Sequence, residues 1–144
     1  MSRTVLTFTS PTFTVADTEL GLATGDAYQC QLTRAQVVGT PSYSSIPATG
    51  CDGPAEVPSR SAWELQLAWL QDWTAADGGL SGYAFDHETE LVWWKLEQAA
   101  GGPAMTGTAY VAAGAFGGDF GGAPSLAEAT WKCPTKPTRS PVAP

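Results

Sequence analysis

The chain carries one histidine, His87, set between Asp86 and Glu88. An imidazole among carboxylates is the residue type for general acid–base work or for one arm of a metal site. Both chemistries need partners. No second histidine and no C-x-x-C pair exists, and the three cysteines stand apart at Cys30, Cys51 and Cys133. An odd number at that spacing reads as reduced thiols rather than as a zinc site or a disulfide framework. A hydrolase triad needs a serine elbow, but Gly79-Leu80-Ser81-Gly82-Tyr83 has Tyr83 where G-x-S-x-G requires its second glycine. The run Gly117-Gly118-Asp119-Phe120-Gly121-Gly122 lacks the lysine and following helix of a phosphate loop, and reads as a hairpin tip. Carboxylate pairs such as Glu64 with Glu90, or Asp86 with Glu88, supply the groups for glycoside cleavage, but their spacing sets no separation. The residue types therefore predict a protein that is not an enzyme, with no catalytic residues, no cofactor and no metal.

Any such groups would be held by strands. The segment Ser61–Gln98 contains Trp63, Trp69, Trp73, Trp93 and Trp94, and seven acidic residues against the single Lys95. It is expected to be buried on one side and charged on another. Within it, Trp63, Leu65, Leu67 and Trp69 recur at period two, the signature of a strand. Ser61 and Glu64 also fit a helical capping box, and Trp63, Leu67 and Leu70 a helical face, so the spacing leaves both readings open. Asp77–His87 suits a short helix, about 78–88, with Asp77 or Ser81 as its cap and Leu80, Ala84 and His87 along one face. Glu90–Gln98 reads as a strand with Val92, Trp94 and Leu96 on one face and Leu91 and Trp93 on the other, which predicts burial on both sides.

The flanks read as further strands. Thr4–Thr14 alternates Val5, Thr7 and Thr9 against Leu6 and Phe8, broken by Pro11. Asp17–Asp26 reads as a short hairpin or loop, and Ala27–Val38 as one strand. Met105–Phe116 is a strand of small residues that admits another backbone, and Ser125–Cys133 is the last strand. Gly39–Ser61 holds four prolines and three glycines and keeps no periodicity, so it reads as a long irregular loop (39–61). Its apolar residues Tyr43, Ile46, Cys51 and Val57 predict packing on something, a neighbouring copy among the candidates. The fold class expected is mainly β: a β-sandwich or barrel-like single domain, residues 1–133, with one short flanking helix. The Pro-rich residues 134–144 follow as an extended C-terminal arm.

At 144 residues the chain makes one domain, and its 43% hydrophobic content is enough for a core. Charged residues are only 15%, below the roughly 25% of ordinary domains, which suggests surface covered by other copies. A net charge of −7 argues against a binder that neutralises phosphates, though not against a surface that nucleic acid slides past. The N-terminal Met1–Phe13 is too polar for a signal peptide, and no apolar run approaches the roughly 20 residues of a membrane span.

The order of features resembles the major tail (tail tube) proteins of long-tailed bacteriophages. The resemblance rests on Leu70-Gln71-Asp72-Trp73, then Leu80-Ser81-Gly82-Tyr83-Ala84-Phe85-Asp86, then a strand. It continues through Thr106-Gly107-Thr108, the Gly117-Gly118 tip, and a last strand running into Lys136-Pro137. It covers roughly residues 60 to 138; Thr135 stands where such proteins often have glycine. It implies a strand over Ser61–Asp72, and subunits that form hexameric rings stacked into a hollow tube for genomic DNA. It implies partners as well: copies of itself, and the tape measure, tail terminator and baseplate or tail-tip proteins, with no membrane. The location implied is the virion tail, after synthesis in the host cytoplasm. On this reading the assembly contacts are expected at Tyr43, Ile46, Cys51, Trp93, Trp94, Tyr110, Phe116 and Phe120, and the acids facing the lumen at Glu64, Glu90, Glu97 and Glu128. The rival reading is a non-enzymatic β-sandwich module of a virion surface that holds glycan or protein through exposed tryptophans.

Overall fold

The computed structural model describes residues 11–74, 79–98 and 102–140. In chain order its strands are β1 (Thr12–Ala16), β2 (Asp26–Ala27), β3 (Leu32–Thr40), β4 (Tyr43–Ile46), β5 (Ala55–Pro58) and β6 (Ala62–Leu70). After the helix α1 (Gly79–Asp86) come β7 (Leu91–Glu97), β8 (Ala104–Tyr110), β9 (Leu126–Cys133) and β10 (Thr138–Ser140), and a 3-10 turn covers Leu20–Ala23. The mainly β domain with one helix is as expected.

Ser61–Asp72 is a strand because period two suits its place. β6 lies between β3 and β9, with Leu65, Leu67 and Trp69 fully buried and Glu64 and Gln66 on the opposite face. The sheet runs β2-β1-β7-β8-β9-β6-β3, and β10 joins along β8. Three strand spacings separate β1 from β9, about 14 Å if the sheet were flat. Yet the rings of Phe13 on β1 and Trp131 on β9 lie 6.4 Å apart. The sheet is therefore strongly curled, with Phe13, Leu65, Leu67, Trp69, Trp94 and Trp131 on its concave side.

The helix fills one side of this core. Leu80 and Ala84 are buried as their spacing predicts, and Gly79, Ser81 and Gly82 are buried beside them. The Trp69 indole N–H donates to Ser81 Oγ at 2.8 Å, and Leu80 N–H donates to the Gln31 side chain at 2.7 Å. Ser81 thus anchors the helix from inside rather than capping it; Asp77, the other expected cap, lies outside the described residues. Gly79 sits at φ +59°, and a Cβ there would meet the Gln31 amide at 2.5 Å. The helix ends at Asp86, and His87 follows in a turn.

Several expectations are corrected. The strand expected over Ala27–Val38 is split by a turn at Tyr28–Gln31, because Tyr28 is drawn into the core and Gln31 is committed to the helix. A β-bulge between Leu32 and Arg34 then resets the faces, so that Leu32, Ala35 and Val37 pack against the core. The long irregular loop over 39–61 is a two-stranded arm: β4 pairs with β5, Tyr43 opposite Pro58 and Ile46 opposite Ala55. Pro41, Pro47 and Pro54 flank these strands instead of breaking them. The tip is held by Thr49, whose Oγ1 accepts the N–H groups of Cys51 and Asp52. Burial of β7 is one-sided: Val92, Trp94 and Leu96 are buried, whereas Leu91 is exposed and Trp93 half-buried. β8 ends at Tyr110, six residues earlier than expected. The small residues beyond it admit side chains, with Gly114 against the Trp69 ring and Ala112 C=O accepting the Trp131 indole N–H at 3.0 Å. β1 begins only after Pro11; the expected strand's earlier residues, 4–10, lie outside the described chain. In the C-terminal arm, Thr138–Ser140 pair with β8 opposite Ala104–Thr106.

Candidate functional site

The residues with chemical potential gather where β1 ends and β7 begins. Asp17, Asp26, Tyr28, Tyr83, Asp86 and His87 line a crevice of about 380 Å³. His87 stacks on Tyr83 with ring centres 4.4 Å apart, and its Nδ1 pairs with the Glu90 carboxylate. The Tyr83 hydroxyl is buried without a hydrogen-bond partner among the described residues. Its pKa is pushed up to about 12, first by burial and then by Asp17, Asp26 and Glu90. A phenol held neutral in this way is a poor base at neutral pH.

The other candidates are tied up separately. Glu64 accepts from the Gln66 amide at 3.2 Å on β6, while Glu90 is engaged by His87, so the two are held by different elements. Ser81 is committed to Trp69. Cys30 and Cys51 are exposed free thiols, and burial raises the pKa of the Cys133 thiol. Among the described residues no three His, Cys, Asp or Glu side chains are placed to hold a metal ion, and no helix is long and apolar enough to cross a membrane.

The expected assembly residues fall on three surfaces. Tyr43, Ile46 and Cys51 lie on the arm, where every residue from 41 to 60 is exposed. Trp93 and Tyr110 lie on the outer side of β7 and β8, with Leu91 directly opposite Tyr110. Phe116 and Phe120 are 80% and 106% exposed on the loop before β9. Trp94 is a correction: it is wholly buried, because strand alternation turns it inward when Trp93 faces out.

One aromatic cluster at the surface, half-buried Trp73 with exposed Phe85 and Phe116, escaped the sequence reading. Trp73 meets Phe116 edge-to-face at 5.1 Å and Phe85 at 6.3 Å. Gln71 holds this end together: its side chain bonds both the N–H and the C=O of Gly117 and accepts the Trp73 indole N–H. Leu70 and Leu126, paired across β6 and β9, are exposed as well. The available signal was Phe85, which falls off the Leu80–Ala84 face of the helix.

Of the four expected lumen acids, Glu64 and Glu128 share the outer face of β6 and β9, interspersed with Lys132 and Arg34. Glu64 pairs in register with Lys132, and Glu128 shares a shallow trough with Arg34 on the outer face of β9, β6 and β3. Glu97 lies on β7, bridged to Lys95 at 2.8 Å, and Glu90 belongs to the histidine crevice. Compared with known proteins, the chain matches no family profile and no curated sequence.

Proposed function

We propose that this chain is a structural subunit that assembles with copies of itself into stacked, six-membered rings, the hollow tail tube of a long-tailed bacteriophage through which genomic DNA passes. The β4–β5 arm carries the reading. A two-stranded ribbon is marginal alone in water. This one presents Tyr43, Ile46 and Val57 at 60%, 45% and 39% exposure. An ordered ribbon with apolar side chains and no cover from its own domain is suited to lie along a second copy. The low charge content, the exposed Leu91 and Tyr110 and the half-buried Trp93 between them support the same conclusion, and the resemblance over residues 60 to 138 supplies the ring and tube. On this proposal the tape measure, terminator and baseplate or tail-tip proteins meet the tube at its bore and ends.

The test is negative-stain electron microscopy and light scattering on concentrated protein, with and without the arm. In the variant, residues 41–61 are replaced by a two-residue Asn-Gly turn that joins Thr40 to Ala62, its partner across β3 and β6. The full chain should form rings or tubes of uniform width, and the armless chain should stay small with its β-sheet spectrum intact. Equal assembly by both chains would overturn the arm's role.

The cluster of half-buried Trp73 with exposed Phe85 and Phe116 favours a second reading, a glycan- or protein-binding module of a virion surface. A module of that kind would stay small at high concentration and change its tryptophan fluorescence on adding glycan.

A further inference from the structure

The β4–β5 arm has two edges, and among the described residues neither is paired to a third strand. The register settles which main-chain groups face outward. Ser59 N–H donates to Ser42 C=O at 2.8 Å, and Tyr43 lies opposite Pro58, which has no N–H to give. Ser42, Ser44 and Ile46 therefore turn their N–H and C=O groups towards β5, while Tyr43 and Ser45 turn theirs away from it. On β5 the outward residues are Glu56 and Pro58.

The two edges are unlike. The β5 edge offers the N–H of Glu56 beside a charged side chain and a proline, the residue types that blunt an edge. The β4 edge offers a full set, the N–H and C=O of both Tyr43 and Ser45. Pro41 and Pro47 bracket it, each three residues from Ser44, and the stretch Thr40–Pro47 carries no charge. Every residue of the arm is exposed, Tyr43 at 60% and Ile46 at 45%.

A slot that is symmetric about Ser44 is complementary to itself. Turned end for end, a second β4 sets Tyr43 against the partner's Ser45 and Ser45 against the partner's Tyr43, and all four outward groups pair. Sliding the register by two residues sets Tyr43 or Ser45 opposite a proline, and one C=O of each copy loses its donor. No like charges meet at this edge. Ile46, Ala55 and Val57 share one face of the ribbon, so two ribbons joined in this way form four strands with an apolar face, where two strands alone are marginal.

We infer that the free subunit pairs with a second copy through this edge, β4 against β4 in antiparallel register about a two-fold axis at Ser44. The inference goes beyond the ring. Neighbours in a six-membered ring meet through unlike surfaces, whereas a two-fold contact joins like to like, so the pairing belongs to the subunit before it enters a ring.

Cysteine cross-linking in concentrated protein tests the register, in a Cys30→Ser, Cys51→Ser background. Ser44→Cys brings its Cα to about 4.5 Å from the same position of the second copy, within disulfide reach. Ile46→Cys lies on the same face but about 14 Å from its counterpart, out of reach. Under mild oxidation Ser44→Cys should give covalent dimer roughly tenfold more readily than Ile46→Cys. Adding Ser45→Pro removes an outward N–H and leaves the ladder to β5 intact, so it should abolish the cross-link. The amide resonances of Ser44 and Val57 check that the arm itself stays paired. Failure of Ser44→Cys to cross-link overturns the inference. So does equal cross-linking by Ile46→Cys, or a cross-link that survives Ser45→Pro.

Discussion

Ser81 and Trp69 form the residue-scale contact on which the helix depends. Each satisfies the other inside the core, and the bond joins α1 to the middle of β6. Removing the hydroxyl alone strands a buried indole N–H, which costs about 1–3 kcal/mol. Ser81→Ala should lower the denaturant midpoint accordingly, and the same change in a Trp69→Phe background should cost much less; equal losses would show the bond to be idle. Tyr83 gives a prediction in pH. The unfolded chain releases the phenolic proton near 10.0, whereas the fold retains it to about 12. Between those values the unfolded state binds fewer protons, so stability falls as pH rises from about 10 to about 12. Tyr83→Phe should remove that component, and the difference between the two unfolding curves against pH measures it. His87 was the residue that first suggested chemistry. Its spacing from Leu80 and Ala84 suggested a place on the helix, but the helix ends at Asp86, and His87 sits in the turn beyond it and pairs with Glu90, just before β7, which no helical spacing encodes.

At the element scale the arm and the sheet differ in kind. The sheet is bound by layers of buried tryptophan, leucine and valine, while the arm rests on its own ladder and a few hydroxyl contacts such as Ser42 with Ser59. Local stability follows buried contact. In the free subunit the β4–β5 amides should therefore exchange much faster than those of β6, and assembly should slow them selectively; arm amides as protected as β6 in the monomer would contradict the proposed role. The arm was illegible in the sequence for a physical reason. A ribbon exposed on both faces has no need to alternate apolar and polar residues, so period two never appears, and its prolines look like breaks. β9 was legible because it buries one face, whereas the spacing of β6 also fitted a helix and β7 read as buried on both sides. Trp131 lies inward while Glu128, Thr130 and Lys132 lie outward, as the alternation requires.

At the scale of the whole molecule, a chain of net charge −7 must meet copies of itself against its own repulsion. Screening shortens that repulsion to about 10 Å at 0.1 M salt, and to about 3 Å at 1 M. If apolar arm contacts drive association, light scattering should show faster assembly as salt rises. Slower assembly would point to ion pairs between copies. The sequence by itself determined the class of fold, the alternation of β9, the short helix and the absence of a recognisable catalytic motif, because these follow from local periodicity and residue type. Only the tertiary structure decided that the sheet curls until Phe13 reaches Trp131, and that Trp94 rather than Trp93 enters the core. It alone placed Glu64 and Glu128 on one outer face of β6 and β9, gave Glu97 to Lys95 and Glu90 to His87, and turned the proline-rich stretch into a projecting arm. Those outcomes depend on which strands become neighbours and in what register, and pairing between distant segments leaves no mark in the spacing of either one.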